Sequence, residues 1–140
     1  MSVRVFIDAS FRSGRAAYSV VVIREDRLPE LGRRLRWVKH RRRLGRRERR
    51  GYDSAFLRRL GKLLSSGLVE RAVVVRSLED LALLLERLRS EYQVAAAYID
   101  DRVLAELRRR HPEVLKGVKT GPESETTRRR GDLRRAMLLA

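Results

Sequence analysis

The apolar positions of this chain fall into short blocks of two kinds: uninterrupted β-branched runs, and stripes at helical spacing. Val3–Ala9 (VRVFIDA) and Ala16–Ile23 (AAYSVVVI) are runs of the first kind, separated by the Ser/Gly/Arg cluster Ser10–Arg15. Branched side chains suit a pleated surface and Ser-Gly pairs suit tight turns, so these runs predict a β-hairpin. Glu25–Gly32 holds Pro29 and Gly32 among mostly polar residues and reads as a loop. Arg33–His40 (RRLRWVKH) interleaves Leu35, Trp37 and Val38 with basic residues. That pattern predicts a third strand at a sheet edge, where charge discourages pairing with other chains.

Helical spacing begins further on. Asp53–Leu64 places Phe56, Leu57, Leu60, Leu63 and Leu64 on one side of a helix, with Asp53 in position to cap it and Ser65, Ser66 and Gly67 to end it. Arg71–Arg76 (RAVVVR) is a continuous apolar run of the kind covered on both faces, which predicts a central, parallel fourth strand. Ser77-Leu-Glu-Asp80 has the form of a cap opening the next helix, whose stripe Leu81, Leu84, Leu85 and Leu88 continues to about Glu91. A fifth strand is expected at Val94–Ile99, followed by Asp100 and Asp101 and by a short helix over Arg102–His111 that Pro112 stops. Glu113–Arg130 reads mostly as loop with a short strand available at Val114–Val118. From Gly131 a last helix would pack through Leu133, Ala136, Met137 and Ala140.

A hairpin or meander followed by βαβ units implies an α/β fold: one domain over residues 1–140, with a mixed five-stranded sheet covered by helices. The length of 140 residues agrees with a single core. No apolar run approaches the roughly 20 residues of a membrane span, and the opening lacks the apolar stretch of a secretory signal, so a cytoplasmic protein with no membrane partner is expected. The chain has no Cys and therefore neither disulfides nor thiolate metal sites.

Charge changes the picture more. With 34 Lys+Arg against 18 Asp+Glu the net charge is +16, a field that attracts polyanions. The bias toward Arg over Lys has a compositional explanation as well as a functional one, whereas the net charge bears on partners directly. It is densest in Arg41–Arg50 (RRRLGRRERR), which has nothing to bury and reads as a loop or arm. Contact with DNA or RNA through Arg41, Arg42, Arg43, Arg46, Arg47, Arg49 and Arg50 is weighed there against a merely solvated loop. Tyr52 and Trp37 flank the run. Tyr52 is the better candidate to stack on an unpaired base, and Trp37 is expected in the core.

Neither His40 nor His111 sits in a metal-ligand pattern, and no phosphate-binding glycine loop is present. What remains is the placement of acids. Asp8 ends the first strand in VFIDAS, and Asp100 and Asp101 follow the fifth, where the carboxyl ends of parallel strands form the usual ligand crevice. Carboxylates gathered in a basic protein call for a bridging cation, and hard ions such as Mg²⁺ and Mn²⁺ prefer oxygen donors. Bland roles compete throughout: a turn bond for Asp8, a helix cap for Asp100 or Asp101 and for Asp53, and a favourable helix-dipole position for Asp132.

VFIDAS, a turn and AAYSVVVI together resemble the start of ribonuclease H-like domains, and GDLRRAMLLA resembles the last helix of that superfamily. The resemblance implies a divalent-metal-dependent nuclease, with Asp8 as first metal ligand and Asp132 as last. Asp53 would match a helix-borne acid, and Asp100 or Asp101 the strand-end acid of the resolvase-like branches. By this reading Asp8, Asp100 and Asp132 carry catalysis. The fourth strand departs from the pattern, ending in Arg76-Ser77-Leu78 where many members have an acid; Glu79 and Asp80 follow slightly later, Glu79 as an alternative metal ligand beside Asp53 and Asp80 with a capping role that explains it equally well. A non-catalytic nucleic-acid-binding module on the same fold is the alternative. VFIDAS also resembles the opening of PIN-domain ribonucleases, against which the hairpin argues.

Overall fold

The expected hairpin forms, and it is longer than the apolar runs that announce it. In a computed structural model describing residues 1–37, 44–122 and 131–140, β1 (Ser2–Arg12) and β2 (Arg15–Arg24) pair antiparallel from Val3↔Arg24 to Arg12↔Arg15. Ser13 and Gly14 connect them with φ of 51° and 73°. Two consecutive positive φ values define the type I′ turn, whose twist matches that of the strands it joins.

The next segment departs from expectation. After a 3₁₀ turn at Glu25–Arg27, α1 (Leu28–Arg34) occupies what reads as a loop, and it includes the first residues of the expected third strand. Pro29 lies in the first helical turn, where a missing N–H breaks no bond. Leu28, Leu31 and Leu35 then recur at helical spacing and are all buried. Arg36 and Trp37 are in a turn, and Val38–His40 lie outside the described residues. α2 (Arg46–Ser65) starts seven residues before Asp53, so Asp53 is inside the helix and does not cap it. Arg is a good helix former, and a helix needs no buried side chains in a turn that projects from the core.

β3 (Arg71–Val75), α3 (Leu78–Glu91), β4 (Gln93–Ile99) and α4 (Asp101–Arg110) follow close to the expected boundaries. The Ser77 hydroxyl accepts from the Asp80 N–H at 3.0 Å and caps α3 as its sequence suggests. A 3₁₀ turn at Pro112–Leu115 takes the place of the short strand, which lies later as β5 (Lys119–Pro122), and α5 (Gly131–Leu139) closes the chain.

The strand order is β3-β2-β1-β4-β5. β1 is antiparallel to β2 and parallel to β4, β2 is antiparallel to β3, and β4 is parallel to β5. The sheet is thus mixed and five-stranded, but β3 is an antiparallel edge strand and not a central parallel one. Its Val74 is 58% exposed, so the apolar run reflected strand propensity more than burial on two faces.

Alternation along β1 divides the core. Val3, Val5 and Ile7 pack with Leu81, Leu85 and Leu88 of α3 and Val103, Leu104 and Leu107 of α4. Phe6 faces the other way, into Leu28, Leu31 and Leu35 of the α1 segment, Leu63 of α2, and Ala136 and Met137 of α5. Helices therefore cover both faces. Each fully buried aliphatic side chain contributes roughly 1.5–3 kcal/mol.

Candidate functional site

Asp8 and Asp100 come together because the two central strands run parallel and in register. Ile7 pairs with Ile99, and the Asp100 N–H continues the ladder by donating to the Ile7 carbonyl at 2.9 Å. Asp8 and Asp100 are the next residues on strands about 4.8 Å apart. Asp8 follows Phe6 in the alternation, so it faces the α1/α2/α5 side of the sheet, opposite Ser19 of β2. Both acids are half-buried.

Each carboxylate also has a local structural role. Asp8 Oδ1 accepts from the Ala9 N–H at 2.9 Å, the kind of turn bond an Asp at a strand end makes. Asp100 Oδ1 accepts from the N–H groups of Arg102 at 3.0 Å and Val103 at 3.3 Å and so caps α4. Both capping bonds fall on Oδ1, which leaves Oδ2 outside the cap. The other member of the pair, Asp101, is an exposed residue of the first turn of α4.

The remaining acids are placed differently. Glu79, exposed in the first turn of α3, pairs with Arg110 at 2.7 Å. Tyr18 lies beside this pair, and its hydroxyl pKa is raised above 10.0, first by burial and then by the charges of Glu79 and Glu106. Asp53 is half-buried within α2. Asp132 is the second residue of α5, and its side chain lies outside the described residues, as does that of Leu133. His111 ends α4 with Nδ1 3.7 Å from Glu113, and His40 is outside the described residues. Among the described residues no group of three or more His, Cys, Asp or Glu is arranged to hold a metal ion. Carboxylate oxygens such as those of Asp8 and Asp100 are the kind of donor that Mg²⁺ and Mn²⁺ prefer.

The basic segment is largely helix. Arg46, Arg47 and Arg50 are exposed in the first turns of α2 and Arg49 is half-buried, whereas Arg41, Arg42 and Arg43 lie outside the described residues. α2 runs antiparallel to α1. Arg27, just before α1, donates to the Ser66 carbonyl just after α2, while Trp37, just after α1, meets Tyr52 and Phe56 with ring centroids 6.2 and 5.9 Å away. The arginine-rich start of α2 therefore extends past the end of α1. Tyr52 is a member of this aromatic cluster, with Phe56 at 5.9 Å and the Arg59 guanidinium 4.8 Å over the Trp37 ring.

The far end of the hairpin is a feature that no charge run or strand-end acid marks. β4 pairs with β1 only as far as Ile7, and β3 pairs with β2 only from Tyr18, so residues 10–17 form a two-stranded ribbon with no described strand on either side. The signal was Ser13-Gly14 between two basic residues, a hairpin turn that implies strands reaching right up to it. Among the described residues no helix is long and apolar enough to cross a membrane. Compared with known proteins, the chain matches no family model, no curated protein and no solved structure.

Proposed function

We propose that this protein binds nucleic acid on a ribonuclease H-like fold and hydrolyses phosphodiester bonds with a divalent cation, Mg²⁺ or Mn²⁺, held by Asp8 and Asp100. The observation that carries the reading is the β1–β4 register, which makes these two acids neighbours at the carboxyl ends of parallel strands. Strand order supports it as well. Once the third strand is β3 rather than Arg33–His40, the fourth is β4, and it ends on an acid beside the first strand. The missing acid after Val75 then belongs to an edge strand, and the helix between the third and fourth strands is α3, carrying Glu79 in place of Asp53.

A bound cation would activate a water and stabilise the leaving oxygen. The chain's own groups do the rest. The α4 cap orients the Asp100 carboxylate and leaves Oδ2 for a ligand. Asp132, a residue of α5 on the side of the sheet that Asp8 faces, is the candidate to complete the donor set, whereas Glu79 opens α3 on the opposite face and is paired with Arg110. Exposed arginines of α2 hold phosphates and set the orientation of the backbone without taking part in the chemistry.

Two observations favour a second reading, a binding module without catalysis: Asp100 is already engaged as a cap, and Glu79 is already ion-paired. A PIN-like ribonuclease loses support from the antiparallel β1–β2 ladder. Labelled single-stranded, duplex and hybrid substrates incubated with Mg²⁺ or Mn²⁺, beside Asp8→Asn, separate the readings. Metal-dependent cleavage that Asp8→Asn abolishes is expected. Binding that needs no metal, with no cleavage of any substrate, would leave the module.

A further inference from the structure

We propose that the β1–β2 ribbon takes hold of an unpaired stretch of nucleic acid that passes around its tip, the Phe11 ring stacking on a base on one face and Arg15 engaging a phosphate of the same strand on the other. This rests on the nucleic-acid reading above and is independent of catalysis.

Position is the first support. The ribbon leaves the sheet at the end where Asp8 and Asp100 lie, and its tip is set by a type I′ turn with no loop residues to spare. Charge is the second. No acidic residue occurs between Asp8 and Glu25, so the ribbon's own charge is purely positive, and Glu79 beside Tyr18 is paired with Arg110. Arg15 is exposed and falls on the same face of β2 as Ser19, the partner of Asp8, whereas Phe11 pairs with Ala16 and falls on the opposite face, so a bound strand would pass around the tip of the ribbon.

Phe11 is the third and most specific support. It is 55% exposed and is the one exposed aromatic ring among the described residues; the other exposed large apolar side chains are Met1, Leu57, Leu64, Val74 and Leu83. Scattered exposed aliphatic residues are ordinary on protein surfaces and call for no explanation. The Phe11 ring differs in being held. It packs edge to face with the buried Tyr18 ring at 6.5 Å and 87°, so part of its rotational freedom is already lost before any ligand arrives. A pre-ordered ring with half its surface open, on a basic ribbon, suits base stacking, which tolerates any base because every base has a π-face. Bases inside a duplex are stacked on each other, so the matching ligand is single-stranded or locally opened DNA or RNA.

The test is fluorescence anisotropy with labelled oligothymidylate and with an abasic oligomer of the same length. Phe11→Ala and Phe11→Leu are each expected to weaken oligothymidylate binding about 5- to 150-fold, and Phe11→Tyr to retain it. On the abasic oligomer all four proteins should bind alike, and only Arg15→Ala should reduce the salt slope, by about 1. Oligothymidylate binding by Phe11→Ala equal to that of wild type would overturn the proposal while leaving the nucleic-acid reading intact. Wild type that binds neither oligomer at low salt would overturn both. The ring is partly exposed and touches Tyr18, so its loss should leave the circular dichroism spectrum unchanged and lower the melting temperature by a few degrees at most.

Discussion

Asp100 has a structural role as the cap of α4 and, on the proposed reading, a chemical one, and substitution can separate the two. The first N–H groups of α4 have no intrahelical acceptors, and Asp100 Oδ1 satisfies those of Arg102 and Val103 at 3.0 and 3.3 Å. Asp100→Ala leaves both unpaired beside the buried Val103 and Leu104, and loss of such a cap costs about 1–2 kcal/mol. Asp100→Asn retains an acceptor in the same place. It forfeits the charge–dipole attraction at the helix start, about 0.3–1 kcal/mol, but relieves repulsion with the neighbouring Asp8 carboxylate, so its net effect should stay within about 0.5 kcal/mol of wild type. In a chain of 140 residues a loss of about 1 kcal/mol lowers the melting temperature by roughly 3–5 °C. Thermal melting followed by far-ultraviolet circular dichroism at neutral pH should therefore place Asp100→Asn near wild type and Asp100→Ala several degrees lower, with cleavage lost in both. Equal destabilisation by the two variants, or none by Asp100→Ala, would refute the capping argument and with it the claim that α4 orients this carboxylate.

Other expectations follow from single contacts. The Ser2 hydroxyl and the Arg4 guanidinium hold the Glu25 carboxyl below its ordinary 4.5, so the unfolded chain takes up the proton first. The stabilisation is complete above the unfolded value and lost as the pH falls through the lower, folded one, and Glu25→Gln should flatten the acid limb of stability measured by urea titration. The pair is partly exposed, so the effect is about 1 kcal/mol or less. Gly14 has φ +73°, and nothing lies within 4 Å of the place a β-carbon would take. Gly14→Ala therefore carries a backbone penalty alone, about 1 kcal/mol in chemical denaturation, and Gly14→Asn less. Replacing Arg46, Arg47 and Arg50 by Ser should lower the slope of log affinity for duplex DNA against log salt by about 0.9 for each phosphate contact removed; an unchanged slope would show that the start of α2 does not touch the backbone.

The parts of the fold legible in the sequence were those where one physical signal acted alone. β1, β2 and β4 announce themselves by β-branched runs, and α3 by a leucine stripe behind a serine cap. The α1 segment failed because two signals conflicted: Pro29 and Gly32 read as breakers, although Pro29 falls where a helix tolerates it and Leu28, Leu31 and Leu35 keep helical spacing. β5 (KTGP) has almost no side chain to bury and is set by pairing with Ala96–Ile99, which no local pattern reports. The expected third strand gave way to helix and turn, the short strand expected at Val114–Val118 formed later at Lys119–Pro122, and the count stayed at five while β3 moved to the edge. For the site, strand-end acids were visible as such, but the partnership of Asp8 with Asp100 depends on the parallel β1–β4 register. The capping bonds of Asp100 and the Arg110 contact of Glu79 depend on tertiary structure in the same way.

Joint action of Asp8 and Asp100 on a cation is what separates a nuclease from a binding module. Calorimetric titration of Mn²⁺ into the wild-type protein, Asp8→Asn and Asp100→Asn tests this directly, since both variants should remain folded. Binding by wild type, weakened at least about tenfold in each variant, is the predicted result. No uptake of Mn²⁺ by wild type, or equal uptake by all three proteins, would contradict it.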